Sequence, residues 1–468
     1  MTDIRAIFDA QKAAYAAEPY PSLATRLQRL HLLAQVLGQH KEGLISAIEK
    51  DFGCRARSET LIAEILGCHG AIHYAEKNLR RWMRKQKRHT SFWSLPAKCY
   101  ALPQPKGVVG IMSPWNYPLH LAIAPLVAAL AAGNRAMIWP SEETPNLAQY
   151  LSNILSETFE PDVVKVVLGD RSGAPEFAAL PFDHLLFTGS TRVGRLIAAA
   201  AAPNLTPVTL ELGGKSPAIV APDYSVHEAA KRITWGKSFN AGQTCIAPDY
   251  ALVPRGQEEV FAREVLRNFK SFYNSILDYD YTAIISERFF RRIRELLQEA
   301  EEKGATILQP NGITESVVDG TYKFPLTVVL NAPPDCALMQ EEIFGPILPV
   351  VGYDKLDDAL EVINGQDRPL SLYCFSGDEL TRRRVMRETH SGSLGVNEAL
   401  LQYIQEDLAF GGVGASGMGA YHGKEGFDTF SHSKSVFEQR GIGHLTGTKL
   451  LYPPYGPVAK LVLRVMGA

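Results

Sequence analysis

The sequence predicts an α/β protein built on parallel, doubly wound sheets in two lobes. The first observation is a rhythm of short apolar runs alternating with helical segments that starts at Val108. The second is a similar series from Ala218 to about Val396. The third is length: 468 residues exceed what one simple core fills and allow a large internal cavity.

Along the chain, Met1 to Glu18 carries Asp3, Arg5, Asp9 and Lys12 and lacks the apolar core of a signal peptide, so secretion is not expected and the location is read as cytoplasmic. Residues 23–50 and 56–88 read as two long helices covering a sheet, with Leu30, Leu33, Val36 and Leu37 at helical spacing. The basic run from Lys77 to Arg88 reads as a solvated helix face. Strands are expected at Val108 to Met112, Arg135 to Trp139, Val163 to Leu168, His184 to Phe187 and Val208 to Leu212. Helices fall between them at 118–132, 144–158, 172–179 and 191–201. The second series places strands at Tyr250 to Val253, Leu326 to Leu330, Ile347 to Val351 and Leu372 to Phe375. Outside both series, Thr90 to Gln104 and the segment near Ser435-Val436-Phe437 read as strand-like arms, suited to subunit pairing or to surface hairpins. The last apolar run, Val458 to Met466, contains Lys460 and Arg464, is far shorter than the roughly 20 residues of a membrane span, and is expected to pack as a tail.

Composition narrows the function. Lys plus Arg total 48 against 50 Asp plus Glu, which gives no electrostatic case for nucleic acid or polyanions and favours a small neutral ligand. The six cysteines lack C-x-x-C or Cys/His spacing, so neither a zinc site nor a disulfide framework is indicated.

Five motifs carry chemistry. Cys245 ends Phe239-Asn240-Ala241-Gly242-Gln243-Thr244, thirty-four residues after Glu211 in Glu211-Leu212-Gly213-Gly214-Lys215-Ser216-Pro217. A thiol attacks carbon as thiolate, so a nucleophilic cysteine needs a base or a positive dipole, and Glu211 is the candidate base; alone, such a cysteine also reads as a small buried hydrophobe. In Pro114-Trp115-Asn116-Tyr117-Pro118, at the C-terminal end of a parallel strand, the Asn116 carboxamide either donates to an oxyanion or caps the next helix. Gly189-Ser190-Thr191-Arg192-Val193-Gly194 opens a helix after a strand, where backbone N–H groups and the helix dipole suit a phosphate, although the spacing is not G-x-G-x-x-G. In Glu341-Glu342-Ile343-Phe344-Gly345-Pro346 a carboxylate suited to ribose hydroxyls precedes an aromatic ring suited to a flat heterocycle; an ordinary turn is the other reading.

Taken together and in this order, P-W-N-Y-P, G-S-T-x-x-G, E-L-G-G-K-S-P, G-Q-T-C and E-E-I-F-G-P resemble the aldehyde dehydrogenase superfamily over essentially the whole chain. Phe410 to Gly414, Ser416 to Gly423 and Phe427 to His432 resemble its shorter class-3-like branch, and Cys245 to Tyr250 is most similar to the coniferyl aldehyde dehydrogenases within it. The resemblance implies an aldehyde dehydrogenase-like fold: a Rossmann-like cofactor lobe (1–88 and 107–210), an α/β catalytic lobe (211–410) and a β-strand oligomerisation arm with tail (89–106 and 411–468), paired as a homodimer. It implies oxidation of an aromatic or medium-chain apolar aldehyde to the acid, with Cys245 as nucleophile, Glu211 as base, and Asn116 with the Cys245 N–H as oxyanion hole. Pro114, Trp115, Trp139, Glu142, Gly189, Ser190, Thr191, Gly194, Leu212, Glu342 and Phe344 fall at cofactor positions, for NAD with NADP possible. One position departs from the family: Trp139 stands where a lysine usually reaches the adenine ribose, which puts the ribose clamp in doubt. An acylating relative that passes the thioester to coenzyme A, and a catalytically silent binding protein, are the alternative readings.

Overall fold

The computed structural model describes residues 3–440 and 452–465. Its two large sheets follow the two series. The first has the strand order Gly417–Met418, Val208–Glu211, His184–Thr188, Val108–Met112, Arg135–Trp139 and Val164–Val166, parallel except for Gly417–Met418. Because Val108–Met112 lies between His184–Thr188 and Arg135–Trp139, the chain leaves it to one side and later returns on the other. That switch of direction opens a crevice at the strand C-termini, where Pro114-Trp115-Asn116 and Gly189-Ser190 emerge side by side.

The second sheet has the order Thr306–Leu308, Thr327–Leu330, Ile347–Tyr353, Tyr250–Pro254, Pro217–Val220, Ser371–Phe375 and Ser393–Val396, with only Thr306–Leu308 antiparallel. Every residue of Val108–Met112, Arg135–Trp139 and Ser371–Phe375 is buried, as expected for strands covered on both faces. The two strand-like arms pair with each other: Lys98–Pro105 lies between Gln86–Arg88 and Ser431–Glu438 in a three-stranded antiparallel sheet.

The N-terminal third departs from the sequence reading. The expected 23–50 helix breaks at His40 into Leu23–Gln39 and Lys41–Phe52. The expected 56–88 helix runs from Arg57 through a π-turn at Leu61–Leu66 and ends at Trp82, so the end of the basic run is strand rather than helix face. Helical periodicity continues across a one-residue break, which is why the pattern did not reveal it. A helix at Ile4–Ala17 precedes both and buries Ile4 and Phe8. The tail expected to pack is a helix, Pro457–Val465, that buries only Ala459; Val458, Leu461 and Val465 are exposed. Among the described residues no helix is long and apolar enough to cross a membrane.

One helix sets the geometry of the crevice. His120–Ala132 is buried along all its residues, between sheet and covering helices, so its polar end groups need partners inside the protein. Glu64, fully buried on the π-turn, accepts the Leu119 and His120 N–H groups at 2.8 and 3.0 Å, a carboxylate at the positive end of the dipole. Arg55 lies 3.8 Å from Glu64 and donates to the Asn116 carbonyl at 2.9 Å.

Trp139 closes the other end. Its indole is 4% exposed, packs on Phe177 at 5.4 Å, and lies where side chains at Gly169 and Gly173 would stand, 2.2 and 2.8 Å from its outer carbon. Gly169→Ala is therefore expected to destabilise the protein by about 1–3 kcal/mol through overpacking, and Trp139→Leu in the same chain to recover most of that loss. Urea denaturation of the two single variants and the double variant measures it; additive losses would contradict this packing.

Candidate active site

Cys245 follows a backbone that few sequences adopt. Asn240, Ala241 and Gly242 have φ of 53°, 51° and 72°, left-handed in succession. A side chain at Gly242 would stand 2.4 Å from the Gly345 carbonyl, so this loop and the Glu342–Gly345 turn meet backbone to backbone. Amide side chains hold the turn. Asn240 donates to the carbonyls of Asn116 and Gln243 at 3.1 and 3.0 Å, and Gln243 donates to those of Asn240 and Ala283 at 2.9 and 3.0 Å. Asn116 Nδ2 donates to the Gln243 carbonyl at 3.1 Å. Two hydroxyls fix the residues flanking the thiol: Tyr117 bonds Thr244 Oγ1 at 2.6 Å, and Tyr373 donates to the Ile246 carbonyl at 2.5 Å.

The Asn116 carboxamide therefore lies beside the Cys245 loop and does not cap the following helix, whose N-cap is Leu119. One Nδ2 hydrogen is used by Gln243, leaving the second free for another acceptor.

Glu211 ends its strand 2% exposed, and neither carboxyl oxygen has a hydrogen-bond partner. Burial alone pushes its pKa well above the usual carboxylate range. Cys245 is half-buried; burial, then the carboxylates of Glu342 and Glu211, push its thiol up, while the N–H groups of Cys245 and Ile246 pull the other way. Glu342 takes a hydrogen bond from the Gly214 N–H, and one of its oxygens has no partner. Burial, reinforced by Asp249, raises it to about 8. Gly213 admits it: a side chain there would stand 1.9 Å from the Glu342 carboxylate.

Four of the motifs thus meet at the thiol: Cys245, Glu211 and Glu342 share one electrostatic environment, and Asn116 is bonded to the same loop. Phe344, at φ 51°, meets Trp115 edge-on at 5.3 Å. Pro114 is half-buried at the same crevice. The glycine motif lies at the crevice mouth. Ser190 caps helix Thr191–Ala201 by accepting from the Val193 N–H, and Thr191 donates to the Ala415 carbonyl at 3.0 Å. Gly194 lets this helix lie against Leu212, whose side chain a Cβ at 194 would meet at 2.6 Å. Glu142 is exposed in the turn after Arg135–Trp139. Trp139 is not part of the group around the thiol; its indole lies in the apolar core beneath the Gly169–Gly173 segment. An exposed helix N-terminus, an orphaned Glu342 oxygen and the Trp115–Phe344 wall fit a dinucleotide's phosphates, ribose and flat ring.

Sequence reasoning missed the supports. Asn240 and Gln243 lay inside a quoted motif and were legible as buried amides, whereas Arg55, Glu64 and Tyr373 reach the site from distant segments without a local signal. Lys215, also in a quoted motif, donates to Asp249 at 2.6 Å and to the carbonyls of Leu338 and Glu341, tying the Glu342 turn to the sheet.

The Glu342 carboxylate opposes thiolate formation, so Glu342→Gln is expected to speed iodoacetamide alkylation of Cys245 about tenfold at pH 9, a thiol shift of about one unit. Since Glu342 ionises near 8, the difference should open as pH rises from 7 to 9 and close below pH 7. Equal alkylation rates at pH 9 would contradict it.

Comparison with known proteins agrees with this geometry. The aldehyde dehydrogenase family model matches residues 1–436. A Pseudomonas aeruginosa protein named "Probable coniferyl aldehyde dehydrogenase" is 47% identical, covering 99% of this chain and 96% of that protein. The substrate-bound structure of Staphylococcus aureus AldH superposes with a TM-score of 0.93 at 35% identity, covering all of both chains. An NAD-dependent aldehyde dehydrogenase from Sinorhizobium meliloti superposes at 0.84 with 28% identity, covering 95% of this chain and 88% of that one. The chain belongs to the aldehyde dehydrogenase family, whose members oxidise aldehydes with NAD(P).

Proposed function

We propose that this protein oxidises an apolar, aromatic aldehyde to its carboxylic acid with NAD, through a covalent intermediate on Cys245. The observation that carries the reading is a thiol beside a buried, unpartnered carboxyl group, Glu211, on a loop bonded to the Asn116 carboxamide.

In this reading, Cys245 first gives its thiol proton to the Glu211 carboxylate, which passes it to solvent, and the thiolate Sγ then adds to the aldehyde carbon as the carbonyl electron pair moves to oxygen. The free Nδ2 hydrogen of Asn116 and the Cys245 N–H donate to that oxygen; one such donor is worth about 3 kcal/mol in the transition state. NAD, which Glu342 and the Trp115–Phe344 wall would hold, would supply the acceptor for the hydride that leaves the tetrahedral carbon. Glu211 then takes a proton from water as its oxygen attacks the thioester, and Cys245 departs as thiolate. A high carboxyl pKa suits this step, because the group must be basic enough to accept a proton. The same base disfavours the alternative in which coenzyme A receives the acyl group.

An aromatic substrate is supported by the walls. The phenols of Tyr117, Tyr373, Tyr403 and Tyr421 all lie within electrostatic reach of Cys245, and the Tyr117 ring stacks on Phe239 at 6.4 Å. The name of the Pseudomonas relative points the same way. NAD is favoured over NADP because Glu142 repels a 2′-phosphate and Trp139 offers it no charge. The cofactor lobe is assigned to 1–88 and 107–210, the catalytic lobe to 211–410, and the three-stranded sheet to the pairing arm of a cytoplasmic homodimer.

Steady-state NADH formation with coniferaldehyde, benzaldehyde and hexanal, with NAD or NADP and with or without coenzyme A, tests this. Aromatic aldehydes should give the higher kcat/KM, NAD the faster reaction, and the product should be free acid whether or not coenzyme A is present. Acyl-coenzyme A as product, or a preference for hexanal, would contradict the proposal.

A further inference from the structure

The N–H of Asn240 opens the left-handed run before Cys245. Asn240 is fully buried, so that N–H needs an acceptor inside the protein, and among the described residues no main-chain carbonyl takes it. Glu59 does. Its Oε2 accepts from the Asn240 N–H at 3.1 Å, across 181 residues of sequence.

Glu59 is 5% exposed and stands on the short helix Arg57–Thr60. The same Oε2 accepts from Thr282 Oγ1 at 2.6 Å, and Thr282 Oγ1 accepts from the Ala56 N–H at 3.0 Å. One hydroxyl thus ties the carboxylate to the main chain at the start of its own helix. The residues after Thr282 extend the tie. The Ala283 N–H donates to the Cys54 carbonyl at 2.9 Å, and the Ile285 N–H donates to Gln243 Oε1 at 3.1 Å. Residues 282–285 are therefore bonded to the Cys54–Glu59 segment on one side and to the thiol loop on the other.

Arg55, four residues before Glu59, holds the other half of the site. Its Nη1 donates to the Asn116 carbonyl at 2.9 Å, and its guanidinium lies over the rings of Phe52 and Tyr117 at 4.7 and 5.0 Å. The Asn116 carbonyl also accepts from Asn240 Nδ2, and the Gln243 carbonyl accepts from Nδ2 of both Asn116 and Asn240. Asn240 is the joint between these parts. Its main-chain N–H rests on Glu59, while its side-chain amide binds the Asn116 segment and the thiol loop together.

We propose that Glu59 is a positioning residue for the reaction: by anchoring the Asn240 N–H it keeps the Asn240 amide in place, and through it the Asn116 carboxamide aimed at the oxyanion. The proposal rests on the reading of Asn116 as an oxyanion donor. Glu59 makes no bond to Cys245, Glu211 or Asn116 and acts through Asn240. Without the anchor, Asn240 and Ala241 can leave the left-handed region, which residues with a Cβ occupy only when their surroundings hold them there. The Asn240 amide then shifts against the Gln243 and Asn116 carbonyls. Misplacing a group at the reacting centre by about 1 Å costs up to about a hundredfold in rate. The site asks of Glu59 an acceptor at a fixed reach rather than a charge. An amide oxygen in the same place accepts the same N–H, whereas aspartate is one methylene too short.

The test measures kcat, and KM for NAD, with coniferaldehyde for Glu59→Gln and Glu59→Asp, and for Glu59→Asp combined with Asn116→Ala. The oxyanion forms both when the thiolate adds and when water attacks the thioester, so kcat reports it whichever step is slower. Glu59→Asp should lose about tenfold or more in kcat with KM for NAD unchanged, and Glu59→Gln should stay within about threefold of wild type. Asn116→Ala should lose about a hundredfold. In that background Glu59→Asp should cost less than about threefold, because the donor it aims is already gone. General loosening of the fold would instead cost the same factor in both backgrounds. Equal losses with and without Asn116, wild-type kcat in Glu59→Asp, or a tenfold loss in Glu59→Gln that still shows the NAD-induced rise in melting temperature would overturn the assignment. If Glu59→Asp fails to fold, Glu59→Gln decides alone. Wild-type kcat in Asn116→Ala would instead overturn the reading of the oxyanion donor.

Discussion

The active site depends on holding three consecutive residues, Asn240 to Gly242, in the left-handed region. For the non-glycine residues Asn240 and Ala241 that conformation costs of order 1–3 kcal/mol each, with Asn the more tolerant. It persists because hydrogen bonds over-determine it. The Asn240 and Gln243 amides bond to backbone carbonyls on three segments, and the hydroxyls of Tyr117 and Tyr373 fasten the residues on either side of Cys245. Asn116 belongs to the same network, so the carboxamide and the thiol are positioned by one set of bonds rather than by two independent folds.

A second constraint is electrostatic. The pocket buries Glu211 and Glu342 without full pairing, and both would be more stable protonated or replaced. Arg55, Glu64, Lys215 and Asp249 are buried nearby but carry charge-to-charge or charge-to-backbone bonds. The contrast separates two kinds of buried charge. Paired groups brace the helix His120–Ala132 and the Glu342 turn, whereas unpaired carboxyl groups face the thiol, where an unsatisfied oxygen can take a proton or a ligand hydroxyl.

Much of this was legible in the sequence. Strand and helix alternation located nine of the parallel strands to within about two residues, because apolar runs of four or five residues between helices leave little choice of register, but it did not single out Pro217–Val220 or Ser393–Val396 at the ends of the second series. The residues around the thiol were found because their types carry chemistry at fixed spacing in short motifs. The rest required three dimensions. His40 interrupts two helices without interrupting their periodicity. Arg55 and Tyr373 reach the site from segments whose local sequence signals nothing, and the helix Pro457–Val465 leaves exposed an apolar face that pattern alone assigned to packing. Trp139 shows the limit most clearly: the sequence revealed an indole in place of a lysine, but only the glycines at 169 and 173 explain where that indole goes.

The central claim is that Cys245 carries the acyl group and Glu211 removes it. Intact-protein and peptide mass spectrometry of Glu211→Gln mixed with coniferaldehyde and NAD tests this most directly. The account predicts one acyl group per chain on the peptide containing Cys245, formed together with one equivalent of NADH and persisting because hydrolysis has stopped. An unmodified Cys245, acyl groups on another residue, or continued turnover to the acid at the wild-type rate would contradict it.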